Sequence, residues 1–392
     1  MSTDTHLSQR PAAPGRHSWR TVLITDGSQL QALKPEWDAL YLRCPMATPF
    51  QSHSWVSSWW RHYGGHEQLF VLLVTDDSTQ GLRGVLALTR SNRWGCRVLR
   101  PVAAPLTDYT DILLDPLDPG ALAQTAADAL LRTRGWDAMD FPEVRPGSAL
   151  ESMLACWPRR HWTMDASACL SMPARPLTEQ LACLSGRNAS NLRRALRKVD
   201  GLGVHVSHVG AEQVPAAMEQ LLELHARQWA GRAINQEHLR PRFHRHLTQA
   251  ATELVAAGGA ALTQFWVGER LVAADFRIIG RDFAGGYLYG ADPWLRTTGI
   301  DTFAMILHHG LLHASEQGLT TLSLLRGAEP HKIKWGAEPV QNHRMIFGRT
   351  VRANGYVAAV KARLHAARTL KQHFPRLAGA RAASSASPPS PH

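Results

Sequence analysis

Short apolar runs bounded by turn residues occupy the first half of the chain, at 69–74, 84–88, 98–102 and 112–114, and each has the length of a strand. A stretch with helical spacing follows at 119–133, then Gly135 and an apolar-containing run at 136–144. The second half repeats that order, with strands at 262–267, 271–279 and 283–289, a helix at 300–316, Gly318 and a strand at 320–325. The repeat lies in element order and not in residue identity. A strand, helix, strand passage of this length makes a right-handed parallel crossover, so each unit mixes antiparallel and parallel pairing. The pattern predicts an α+β protein of two tandem domains, each a mixed central sheet flanked by helices.

Between the units, 184–203 has the spacing of an amphipathic helix: Leu192, Ala195, Leu196 and Val199 form one stripe, while Arg193, Arg194, Arg197 and Lys198 cover the remainder. Ser190 is its expected cap and Gly201 its expected end. A solvated face is the plain reading of these charges. Anion binding gains from the repulsion of like charges one turn apart with no acidic residue interleaved.

A chain of 392 residues exceeds one ordinary core, which supports a division into 1–18 (disordered), 19–180 (first domain), 181–350 (second domain with the basic helix), 351–377 (helical) and 378–392 (a tail of Ala, Ser and Pro). The formal charge of +11 attracts polyanions, whether nucleic acid, anionic lipid or a phosphate-rich cofactor. No segment approaches the roughly 20 apolar residues of a membrane span and no secretory leader is visible, so a cytoplasmic protein is expected, with membrane contact limited to its basic surface. The cysteines, Cys44, Cys96, Cys156, Cys169 and Cys183, are odd in number and widely spaced, which fits a reducing compartment better than a disulfide framework or a thiolate zinc site. No metal is expected either: His309 and His313 stand one helical turn apart, without a catalytic Glu or a third ligand. His238, His244 and His246 lie in an Arg-rich stretch that reads as basic surface. Specific DNA binding is disfavoured because no short helix precedes the basic helix at helix-turn-helix spacing.

The candidate chemistry is concentrated between 262 and 347. After the strand ending at Tyr289, a loop turns through Gly290 and reaches Arg296, Thr297, Thr298 and Gly299 before the next helix opens. Free backbone N–H groups at such a start, backed by the helix dipole, hold a pyrophosphate. The strand after that helix ends in Arg326 and Gly327, with Glu329, His331, Lys332 and Lys334 close behind. Ligands gather at strand ends of this kind. In the first unit Asp108, Tyr109 and Asp111 form a compact polar group suited either to sugar hydroxyls or to capping and turn closure. Trp59 and Trp60 read as packing residues.

Several of these segments carry a family likeness: Phe50-Gln51-Ser52-His53-Ser54-Trp55 with Trp59-Trp60, Asp108-Tyr109-Thr110-Asp111, the basic stretch at 187–198, Gly290-Ala291-Asp292, and Arg326-Gly327 with Lys332. The chain resembles the BioF2-like or CelD-like branch of the GNAT superfamily, related to the FemAB aminoacyltransferases and often encoded with cellulose or polysaccharide biosynthesis genes. The resemblance spans 50–347. It implies an acyl-CoA-dependent N- or O-acyltransferase acting on a sugar or polysaccharide precursor, with acetyl-CoA or another acyl-CoA as donor. Coenzyme A would be held by Arg296, Thr297, Thr298, Gly299 and Lys332; the acceptor by Asp108, Tyr109, Asp111 and Arg326. Backbone amides near Tyr289 would receive the oxyanion, the Tyr289 phenol would protonate the departing thiolate, and Glu329 or His331 would accept the acceptor's proton. Ser323 stands where the family usually has Asp, His331 where a Tyr precedes the Lys, and Asp301 where the coenzyme A pattern prefers Gly or Ala. The net positive charge permits a FemAB-like transferase using aminoacyl-tRNA, and Ser323 with Asp301 keeps open a non-catalytic binding protein of an envelope-polysaccharide system.

Overall fold

The computed structural model describes residues 18–231, 234–327 and 329–373. The terminal segments expected to be disordered lie outside these residues, Ser18 excepted. Among the described residues thirteen strands join in one sheet: β1 (Trp19–Ile24), β2 (Gln68–Asp76), β3 (Leu82–Arg93), β4 (Cys96–Pro101), β5 (Leu113–Leu114), β6 (Ala138–Val144), β7 (His161–Pro173), β8 (His205–His208), β9 (Ala260–Val267), β10 (Arg270–Ile279), β11 (Phe283–Ala291), β12 (Thr321–Arg326) and β13 (Glu338–Gly348). The spatial order is β1-β2-β3-β4-β6-β13-β7-β12-β11-β10-β9-β8, with β5 beside β3.

This order displays the internal repeat directly. In the first unit β2, β3 and β4 form an antiparallel meander and β6 returns parallel to β4; in the second, β9, β10 and β11 do the same and β12 returns parallel to β11. The units are closed by exchanged strands. β13, from the end of the chain, pairs with β6, while β7, from the first half, pairs with β12, and β7 and β13 pair antiparallel along the seam.

Helices cover both faces, so strands read as apolar runs and not as clean alternations. In β2, Val71 and Leu73 join one core while Phe70, Leu72 and Val74 join another. The first of these cores lies beneath helices His53–Tyr63, Val214–Trp229 and Pro241–Ala256, and contains Trp55, Phe243 and Phe276. The second is closed by helix Pro119–Arg132. On the second unit's other face lies helix Thr302–Glu316, with the basic helix Gly186–Gly201 packed along it through Leu192 and Leu196.

The basic helix differs from expectation at both ends. Ser185, not Ser190, caps it, its hydroxyl accepting from the Asn188 N–H; Gly203, not Gly201, takes the left-handed conformation just past its end, at φ 66°. The expected basic surface at 238–246 is also corrected. His246 is fully buried, its ring 4.8 Å from that of Trp55 and its Nδ1 3.1 Å from Ser58 Oγ. Burial lowers its pKa to about 3, so it packs as a neutral ring. Trp59 stacks on Tyr63 at 5.4 Å, inside the same core.

Candidate active site

The parallel pairing of β11 with β12 is short: 283–285 faces 321–323. Beyond Ser323, β12 carries an irregularity with Leu325 at φ 51° and brings Arg326 beside Cys169 of β7, while β11 continues along β10 to Ala291. The strands therefore part. Past Gly285, the β11 edge that faced β12 has no partner strand among the described residues, which aims backbone N–H groups into the gap. Such fixed donors suit a developing oxyanion. The gap holds a cavity of 180 Å³ lined by Asp275, Arg277, Tyr287, Tyr289, Ser323 and Arg326, among others.

One wall is pinned by helix Val214–Trp229. Gly290 lies against that helix so closely that a Cβ would come within 2.4 Å of His225 N and 2.6 Å of Leu221 O. His225 Nδ1 donates to the Tyr289 carbonyl at 2.7 Å, and the Ala291 N–H donates to Gln228 Oε1 at 3.1 Å. Burial raises the pKa of the Tyr289 phenol, so it keeps its proton at neutral pH and is suited to donate it.

The glycine loop that follows is arranged by local bonds. Thr297 and Thr298 hydroxyls donate to the carbonyls of Trp294 and Leu295, each at 2.7 Å, and Arg296 Nη2 donates to Gln228 O at 2.7 Å. Gly299 has φ 70°, and a Cβ there would lie 3.5 Å from Lys198 Nζ. The basic helix thus brings an ammonium over the loop. Asp301 caps the next helix, accepting from the Ala304 N–H at 3.0 Å, which is why a carboxylate occupies that position.

On the other wall, Arg326 is ion-paired to Asp108, and its Nη1 is 3.7 Å from Glu143 Oε1. Asn342 Nδ2 donates to Asp108 O at 3.2 Å and to Glu143 Oε2 at 3.1 Å, and the Tyr109 and Ser323 hydroxyls are 2.9 Å apart. Asp108, Tyr109, Arg326 and Tyr289 thus converge from distant segments. Asp111 is placed elsewhere. Its carboxylate accepts from the N–H groups of Ile112, Ala149 and Leu150 at 2.8–3.0 Å, and burial raises its pKa to about 6. It acts as a backbone cap, with its oxygens already engaged.

Lys332 lines the cavity but directs its ammonium to the carbonyls of Leu324 and Arg326, both at 3.1 Å, and of Gly327 at 3.4 Å. Glu329 completes its shell at 2.8 Å. Lys332 therefore holds the end of β12 in shape. Burial favours the neutral form of Glu329, but the hydrogen bond and charge of Lys332 outweigh it and lower the pKa, making this carboxylate a weak base. His331 packs on Phe303 at 4.4 Å and burial lowers its pKa, so a neutral imidazole is present at pH 7.

Two charged residues of the cavity are absent from the sequence expectations: Asp275 and Arg277, both on β10. Their signal was present, as charges two residues apart in an otherwise apolar strand place both on one buried face. Among the described residues no cluster of His, Cys, Asp or Glu has metal-holding geometry, and no helix is long and apolar enough to cross a membrane.

Residues 186–333, which carry β10 to β12 and the glycine loop, match the model of the acetyltransferase (GNAT) domain. The match covers the second unit, from the basic helix to the loop of Lys332. Likeness of fold extends over both units. FemX superposes with a TM-score of 0.58 at 12% identity, covering 84% of this chain and 97% of FemX. A conserved protein of unknown function from Bacteroides thetaiotaomicron gives 0.55 at 15%, covering 83% and 100%. The C-terminal domain of a putative lysylphosphatidylglycerol synthetase from Agrobacterium fabrum gives 0.51 at 11%, covering 86% and 97%. At these identities the likeness is one of fold. No curated protein matches the sequence.

Proposed function

We propose that this acyltransferase uses an acyl-CoA, transferring its acyl group to an amine or hydroxyl of a sugar or polysaccharide precursor, as the CelD-like resemblance implies. The observation that carries the donor assignment is the parting of β11 and β12 beside the 296–299 loop, with Lys198 above Gly299. The thioester would lie in the gap, its carbonyl against the free N–H groups of β11, and the pyrophosphate at the loop. Attack by the acceptor forms the new C–N or C–O bond as the C–S bond breaks. Tyr289 is positioned to protonate the thiolate. Of the two proposed bases we favour His331, because its imidazole is neutral at pH 7 while Lys332 lowers the pKa of Glu329 and weakens it as a base. Asp108, Tyr109 and Arg326 form the acceptor wall, and five cysteines free of disulfides agree with a reducing cytoplasm.

A second reading has one specific support: the basic helix and the charge of +11 suit a large anionic donor such as the aminoacyl-tRNA of FemAB-type enzymes. Isothermal titration separates the two. The acyl-CoA reading predicts saturable binding of acetyl-CoA or a longer acyl-CoA, weakened in Lys198→Ala and Arg296→Ala. Binding of aminoacyl-tRNA alone, falling steeply with salt, would replace it by the second reading. A well-folded protein that binds neither donor would leave the non-catalytic alternative.

A further inference from the structure

We infer that the cavity between helix Thr302–Glu316 and the sheet contains a subsite for a small carboxylate, held by Arg277. The assignment deepens the acyl-transfer reading of the gap, but its first test does not pass through coenzyme A. Arg277 is carried on β10 and its side chain is 3% exposed. Nη2 is ion-paired to Asp275, equally buried, and lies 3.5 Å from Ile306 O. Nε and Nη1 make no hydrogen bond among the described residues. The guanidinium is therefore a buried charge with three N–H donors unused.

Its position is deliberate in packing terms. The plane rests on Gly310, where a Cβ would come within 2.5 Å of Nη2, so a larger residue there would displace the guanidinium from this position. Arg277 and Asp275 both line the 180 Å³ cavity that opens on the gap. That volume corresponds to about six water molecules, which limits the occupant to a short chain. The matching group for idle guanidinium donors is acceptor-only and anionic, and a carboxylate has that character. Asp275 leaves part of the guanidinium's charge and three of its donors to such a ligand. The carboxylate belongs either to the distal end of the transferred acyl group or to an acidic acceptor.

Titration of the full chain with succinate, against uncharged succinamide, tests the subsite. Wild type is expected to bind succinate saturably and succinamide at least about tenfold more weakly. The double variant Asp275→Asn/Arg277→Met removes the charge pair as a unit, avoiding a lone buried charge, and should lose succinate binding while keeping its melting transition. Asp275→Asn alone removes the competing carboxylate and should bind succinate several-fold more tightly. Failure of wild type to bind succinate, undiminished binding in the double variant, or no gain in Asp275→Asn would overturn the assignment. Succinyl-CoA bound about tenfold more tightly than butyryl-CoA would place the carboxylate on the acyl group, and equal affinities would place it on the acceptor. Succinate binding without any acyl-CoA binding would refute the donor reading and leave the subsite standing.

Discussion

Replacing Gly290 by Ala should damage the wall of the site through helix Val214–Trp229. The added Cβ would stand 2.4 Å from His225 N, 2.6 Å from Leu221 O and 2.8 Å from Leu224 Cβ. Two of these are backbone atoms, so no side-chain rotation relieves the clash. The helix must retreat by about 1 Å to restore ordinary contact, and overpacking of this kind costs about 1–3 kcal/mol. The same retreat stretches the bonds from His225 Nδ1 to Tyr289 O and from Ala291 N to Gln228 Oε1, each worth about 1 kcal/mol. The sum is a destabilisation of roughly 3–5 kcal/mol. Gly286→Ala is the control: it lies on the same strand, and its Cβ would meet nothing within 4 Å. Urea unfolding followed by tryptophan fluorescence measures both. A Gly290→Ala midpoint equal to that of Gly286→Ala would refute the close approach of helix and strand.

Lys332→Met should free the carbonyls of Leu324, Arg326 and Gly327, seen as faster amide hydrogen exchange around 324–327, with a larger loss of acyl transfer than of global stability. Asp137 is held by the hydrogen bond from Arg97, against the opposing effect of burial, at a pKa of about 2 instead of 3.8. A depressed carboxylate stabilises the fold above its unfolded pKa and loses that contribution as pH falls through the folded value, so about 2 kcal/mol should disappear between roughly pH 4 and pH 2. Asp137→Asn should lack that part of the acid-induced decline in denaturant titrations. Tyr109→Phe deletes the hydroxyl that meets Ser323 and should cost about 1 kcal/mol, measured by the same unfolding assay.

Much of the fold was legible because the second unit's strands are apolar on both faces and its helix sits between glycines. The strand predicted at 283–289 runs Phe283–Ala291, and the helix predicted at 300–316 runs Thr302–Glu316, shortened because Asp301 caps it. β7 and β13 were not legible. Their sequences, HWTMDASACLSMP and EPVQNHRMIFG, lack an uninterrupted apolar run, and their pairing joins residues more than 160 positions apart, such as Glu338 with Ser171. The exchange of strands between units therefore has no local signature. In the site, Asp108, Tyr109, Tyr289 and Arg326 were readable as polar residues at strand ends and turns. The engagement of Asp111 with distant amides and the clamp made by Lys332 depend on tertiary placement. In helix Pro241–Ala256 the Arg residues suggest a charged surface, whereas His246 shares the buried face with Phe243, Leu247 and Ala250.

Acyl transfer in the gap between β11 and β12 is tested most directly by titrating acetyl-CoA into wild type and Gly286→Phe. Gly286 lines the cavity and has open space at its Cβ, so a phenyl ring there should fill the gap without disturbing the cores. Saturable binding by wild type, and none by a Gly286→Phe protein that unfolds at the same urea concentration, is the predicted result. Equal acetyl-CoA affinity in the two proteins would contradict the assignment of the donor to this gap.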